Sequence, residues 1–168
     1  MAGLAAQFLV QVLELIGLAD PLRPSVPDAV SECRSAGIKV IMITGDYPTT
    51  ARAIARQAGF DTEDFVTGTE VEQLTNGELA VRVRTATVFA RIMPEQKLRV
   101  VNALEANGAI VAMTGDGVND APSLKSSAHG IAMGGRGTDV AREASSIVLL
   151  DDDFGSIVNR TARPPHLR

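Results

Sequence analysis

Thr44-Gly45-Asp46 and Thr114-Gly115-Asp116-Gly117-Val118-Asn119-Asp120 each end an apolar run, the first in VIMITGDYPTT and the second in IVAMTGDGVNDAP. Small residues at such points let backbone N–H groups approach an anion, and the threonine hydroxyl adds a donor. Acidic side chains beside anion-binding groups make chemical sense once a cation joins them. Asp116 and Asp120 lie four apart and would project from a loop and the first turn of a following helix, an oxygen-rich setting that suits Mg²⁺ together with a phosphate. Lys97, in PEQK, would bring a positive charge to the same edge. Two carboxylates, a hydroxyl and an ammonium make a phosphoryl-transfer site.

The elements that must position these residues follow from the pattern of the chain. IKVIMI (38–43) reads as a fully buried strand, because it lacks the alternation of a half-exposed one. Helices are predicted over 26–36, with Ser25 as cap and Pro27 in the first turn, and over 48–58, which Gly59 ends. A short helix at 69–74 and a polar turn at Asn76-Gly77 follow. Further strands are expected at 13–18, 87–90, 109–113, 130–133 and 146–150, and further helices at 94–106, 119–127 and 138–144. Strands alternating with helices of about ten residues indicate parallel βαβ units with helices on both faces of a parallel sheet, an α/β, Rossmann-like fold in one domain. In such a sheet ligands bind beyond the carboxyl ends of the strands, where both TGD segments leave.

Composition narrows the classes. The 168 residues are 45% hydrophobic with mean hydropathy +0.12, enough for one globular core. A net charge of −4 with 16 scattered basic residues argues against a nucleic-acid or anionic-membrane partner. A single cysteine, Cys33, excludes an internal disulfide, and His129 and His166 are too few and too far apart for a zinc set. The apolar N-terminus is interrupted by Gln7, Gln11 and Glu14 and carries no preceding Lys or Arg, so it is read as neither a spanning helix nor a signal peptide. The Gly134-Gly135-Arg136-Gly137 loop reads as a turn before a Thr138-capped helix rather than a phosphate cradle, and Asp151-Asp152-Asp153 as a solvated run.

TGDGVNDAPSLK (114–125), with TGD (44–46), FARIMPEQK (89–97), DPLRP (20–24) and GIAMGGRGTDVAREASSIVLLDDDF (130–154), resembles the phosphorylation domain of P-type cation-transporting ATPases of the haloacid-dehalogenase superfamily. The motifs are similar to those of bacterial calcium-type or related cation pumps, and the likeness spans residues 13 to 158. The resemblance implies that Thr44 holds the transferred phosphoryl group, that Gly45 and Asp46 line the nucleotide side, and that Lys97 neutralises phosphoryl oxygens. It further implies that Asp116 binds Mg²⁺, that Asn119 and Asp120 support phosphate and metal, and that Arg91 reaches the nucleotide phosphates. Mg²⁺ is the implied cofactor, ATP the nucleotide of the full-length family, and the cytoplasmic side of a membrane pump the implied location.

Departures from the family matter as much. Its phosphorylated aspartate sits in an Asp-Lys-Thr-Gly-Thr segment, and these 168 residues contain none. The nucleotide-binding domain, the actuator domain and the membrane helices of the family are also missing, so any membrane link would run through missing segments. Residues 1–19 correspond to the end of the nucleotide domain, 20–158 to an incomplete phosphorylation domain, and 159–168 to a divergent tail, as in a truncated or frame-shifted gene or a fragment. Three readings stay open: part of a cation pump, inactive alone; a free-standing phosphatase with another nucleophile such as Asp20; and a noncatalytic Mg²⁺-binding module. The fold is expected to lack its usual central strand, between the strands ending in Thr44 and Thr114. FLVQVLELIGL (8–18) is the segment expected to replace it, or the exposed edges to drive self-association.

Overall fold

A computed structural model describes residues 21–161. The expected strand at 13–18 and the substitute strand at 8–18 lie outside the described residues. Within them, six strands form two parallel three-stranded sheets rather than one continuous sheet. The first has the order β1 (Met42–Ile43), β3 (Val88–Ala90), β2 (Phe65–Thr67), and the second β4 (Ala112–Gly115), β5 (His129–Met133), β6 (Ile147–Leu149). Among the described residues β1 pairs only with β3 and β4 only with β5, so each sheet ends in an unpaired edge at a TGD-bearing strand. Ile110 and Ala112, entering and in β4, are exposed there, Ile110 to 81%.

Side-chain alternation explains the layers of the first sheet. Met42, Phe65 and Val88 point to one core with Val30, Ala55, Phe60 and Phe154. Ile43, Val66 and Phe89 point to the other with Val71, Leu79 and Val100. Helices α1 (Val26–Ser35), α2 (Pro48–Gln57) and α8 (Phe154–Thr161) thus supply one face, and α3 (Gly68–Gln73), α4 (Asn76–Arg82) and α5 (Pro94–Ala106) the other. The second sheet packs Met113 and Ala132 against Val101 of α5, Leu124 of α6 (Ala121–Ser126) and Ala141 of α7 (Asp139–Glu143). Phe89 is fully buried, and truncating it to alanine should cost about 3–5 kcal/mol.

The helices at 26–35, 48–57 and 94–106 fall within one residue of their expected bounds, although Ser25 makes no side-chain capping bond and its hydroxyl donates to Asp153 instead. Gly59 and Gly108 end helical turns with φ near +80°, the conformation that glycine adopts without penalty. Three expectations need correction. Asn76-Gly77 is not a turn between elements but the start of α4. Thr75 accepts from the Glu78 N–H while Glu78 accepts from the Thr75 N–H, a capping box that overrides the turn propensity. The strand at 38–43 shrinks to 42–43, and Lys39 instead donates to the carbonyls of Val83 and Arg84, just past α4, at 2.8 and 2.7 Å. The strand at 109–113 moves to 112–115, because Ala109 is still bonded to Leu104 at the end of α5. That shift places Thr114 and Gly115 in the ladder and the loop directly on the sheet edge.

Candidate functional site

The first half of the site is a tight turn at the end of β1. Thr44 is tied to β3 through its N–H to Phe89 at 2.9 Å, and its carbonyl accepts from Ile92 at 3.0 Å. Its hydroxyl is engaged locally, donating to the Asp46 carboxylate at 3.0 Å and accepting from the Asp46 N–H at 3.1 Å. The Asp46 carbonyl accepts from the Arg91 N–H at 2.9 Å, so Asp46 and Arg91 meet although 45 positions separate them. Arg91 itself sits at φ +56°, its guanidinium 4.5 Å from the centre of the Tyr47 ring.

The second half is organised by Asp120, which lies at the end of a 3-10 turn (Val118–Asp120) and is 8% exposed. One carboxylate oxygen accepts from the N–H groups of Asp116 and Gly117 at 3.3 and 3.2 Å; the other accepts from Lys97. A Cβ on Gly115 would lie 2.6 Å from that of Asp120, so only glycine permits this closure. Asp116 and Asn119 stand exposed on the loop, and the Asp116 carbonyl accepts from the Thr138 N–H at 2.9 Å. The structure therefore places Lys97, Asp116, Asn119 and Asp120 around one loop, and Thr44, Gly45, Asp46 and Arg91 around the other. Both lie at the carboxyl ends of parallel strands.

Mg²⁺ chemistry can be tested against these donors. Among the described residues no group of three or more His, Cys, Asp or Glu converges as a metal cluster, and Asp120 is committed to Lys97 and two N–H groups. Asp116 remains as one exposed carboxylate. A hydrated Mg²⁺ held by one carboxylate plus a substrate phosphate fits that donor set, since Mg²⁺ keeps several of its waters.

Asp151-Asp152-Asp153 is not a solvated run. Asp152, at φ +52°, accepts from the N–H groups of Gly135 and Arg136 at 3.0 Å each, and Asp153 accepts from the Ser25 hydroxyl at 3.1 Å. The glycine loop thus has an internal anion on its donors, and its exit is the expected Thr138-capped helix, with Thr138 accepting from Ala141. Residues that sequence reasoning did not single out are Tyr47, directly after the first TGD, and Gln96, beside Lys97. Gln96 donates to the Gly68 carbonyl at 3.0 Å and accepts from the Met93 N–H at 3.0 Å.

The family model of haloacid dehalogenase-like hydrolases matches residues 2–127, and the chain belongs to that family. Among curated relatives, "Calcium-transporting ATPase 1" of Bacillus cereus is 51% identical over 146 residues, covering 86% of this chain and 16% of the relative. A zinc-transporting PIB-type ATPase of known crystal structure is 34% identical with a TM-score of 0.63, covering 82% of this chain and 18% of that one. The catalytic domain of the CPx-ATPase CopB-B shares the fold, with a TM-score of 0.67 at 24% identity over 87% of this chain and 48% of that domain. The chain spans about a sixth of the length of the curated relatives it matches. No helix among the described residues is long and apolar enough to cross a membrane.

Proposed function

We propose that the chain is the C-terminal part of the phosphorylation domain of an ATP-driven cation pump acting at the cytoplasmic side of a membrane. The observation that supports this most directly is the Lys97–Asp120 assembly that closes the TGDGVND loop at the carboxyl end of its strand. Thr44 would bind the transferred phosphoryl group, Lys97 and Asn119 its oxygens, and Gly45, Asp46 and Arg91 the nucleotide. Mg²⁺, held by Asp116 with Asp120 shaping the loop, would offset charge on the phosphate when bound. Relatives of this chain are named for different ions, so the proposal extends to cation transport and to no particular cation. The edges of β1 and β4, unpaired among the described residues, are the surfaces on which strand addition or self-association would occur.

This sequence holds no Asp-Lys-Thr-Gly segment, and positioned cations cannot replace an attacking oxygen. Acid-quenched labelling of the chain with γ-phosphate-labelled ATP and Mg²⁺ should therefore give no labelled band. A hydroxylamine-sensitive band would overturn this and favour a free-standing phosphatase, with Asp20 and Asp46 the first residues to replace. The positive arm is a chimera of the Bacillus cereus relative carrying residues 21–158 in place of its own. Formation of phosphoenzyme by the chimera is expected; a folded chimera that never labels would refute the proposal.

A further inference from the structure

We propose that Tyr47 is a positioning residue that holds Arg91 as a ready cation at the nucleotide side of the site, the pair being seated by Gly68. The inference rests on the reading of Arg91 as a nucleotide-phosphate contact.

Arg91 leaves β3 in the left-handed region, which an arginine adopts only when its surroundings impose it. Here they do. Its N–H donates to Asp46 at 2.9 Å and the next N–H, of Ile92, to Thr44 at 3.0 Å. Its carbonyl is directed onto Gly68, where any Cβ would collide with that oxygen and lie 2.7 Å from Oε1 of Gln96. Gln96 in turn holds the Gly68 carbonyl. The turn carries the chain from a fully buried strand to an exposed side chain beside the TGD turn.

At that point the guanidinium has no carboxylate partner among the described ion pairs, whereas Lys97 has Asp120. It lies over the Tyr47 ring at 4.5 Å, with Nη1 3.5 Å from the Gly45 carbonyl. Tyr47 is 65% exposed and belongs to no described core cluster, so packing gives no reason for its size. A ring face leaves the guanidinium its full charge and its N–H donors, which a carboxylate would consume. The stack orders the cation without neutralising it.

The test is titration of the whole chain with Mg²⁺-ATP for wild type, Arg91→Ala, Tyr47→Ala, Tyr47→Phe and the double alanine variant. Arg91→Ala should weaken binding about tenfold and Tyr47→Ala about threefold, with no further loss in the double variant, while Tyr47→Phe stays at wild type. Side-chain ¹⁵N NMR of Arg91 should show its Nε–H shifting and broadening in Tyr47→Ala but not in Tyr47→Phe. Binding weakened by Arg91→Ala yet unchanged by Tyr47→Ala would overturn the inference alone. Absence of ATP binding, or binding indifferent to Arg91→Ala, would overturn the underlying reading and the inference with it, whatever the NMR reports.

Discussion

Lys97 on α5 and Asp120 in the 3-10 turn form an ion pair whose side chains are only 17% and 12% exposed, and the same carboxylate closes the TGDGVND loop. The amine proposed to meet a phosphoryl group is thus already neutralised, and an incoming anion must compete with Asp120 for it. Asp120→Asn should bind inorganic phosphate several-fold more tightly while losing about 1–3 kcal/mol of stability, because a charge-assisted bond inside the fold is weakened. Phosphate titration and chemical denaturation of the two proteins check both halves. Unchanged phosphate affinity in a folded Asp120→Asn would show that Lys97 does not face the anion.

Asp116 is the exposed carboxylate of the same loop. With a dissociation constant of ~1 mM, 10 mM Mg²⁺ would stabilise the fold by about 1.4 kcal/mol through mass action, a rise in melting temperature of about 4 °C for a chain of this size. Asp116→Ala should abolish the rise. An equal Mg²⁺ response in both proteins would remove Asp116 from the metal site.

Ser123 on α6 is fully buried, and among the described residues its hydroxyl has no hydrogen-bond partner. Removing an unsatisfied buried hydroxyl should help, and alanine is also the better helix former. Ser123→Ala is expected to gain about 1 kcal/mol in denaturant unfolding. A loss of stability would mean that the hydroxyl is paired in solution.

Asp64 has its carboxyl pKa lowered, first by a hydrogen bond from Thr85 and further by the Arg82 guanidinium, which also bonds Glu70. A carboxylate with a folded pKa below its unfolded value contributes stability that is present above the unfolded value, near 3.9, and is lost as pH falls through the folded one. Thermal melts of wild type and Asp64→Asn should therefore differ at neutral pH and converge in acid below about pH 4. A difference that persists at the acid end would assign the effect to packing.

The parts of the candidate site that were legible lie in short contiguous segments. The TGD and TGDGVND segments, Lys97 at a helix start and the capped helix after the glycine loop follow from local rules of strand, turn and cap. The parts that stayed hidden depend on distant partners. Asp152 looked like one of three solvated acids, yet 17 positions separate it from the Gly135 N–H it accepts. Tyr47 gave no signal until Arg91 folded over it. Helix α4 was hidden by Asn76-Gly77, whose turn propensity yields to the reciprocal bonds of Thr75 and Glu78. Strand β2 is three residues long, and its place is set by pairing with β3 rather than by its own pattern.

Helix α5 has a mechanical role that follows from adjacent residues. Val100 belongs to the core under the first sheet and Val101 to the core under the second. Between the described strands no backbone ladder crosses from one sheet to the other, so side-chain packing along α5 carries load between the halves, with the α1–α8 contact as a second tie. Packed helices slide by small shear steps that a hydrogen-bonded ladder would forbid. The two TGD-bearing ends are therefore joined, among the described residues, by packed side chains rather than by a strand pair.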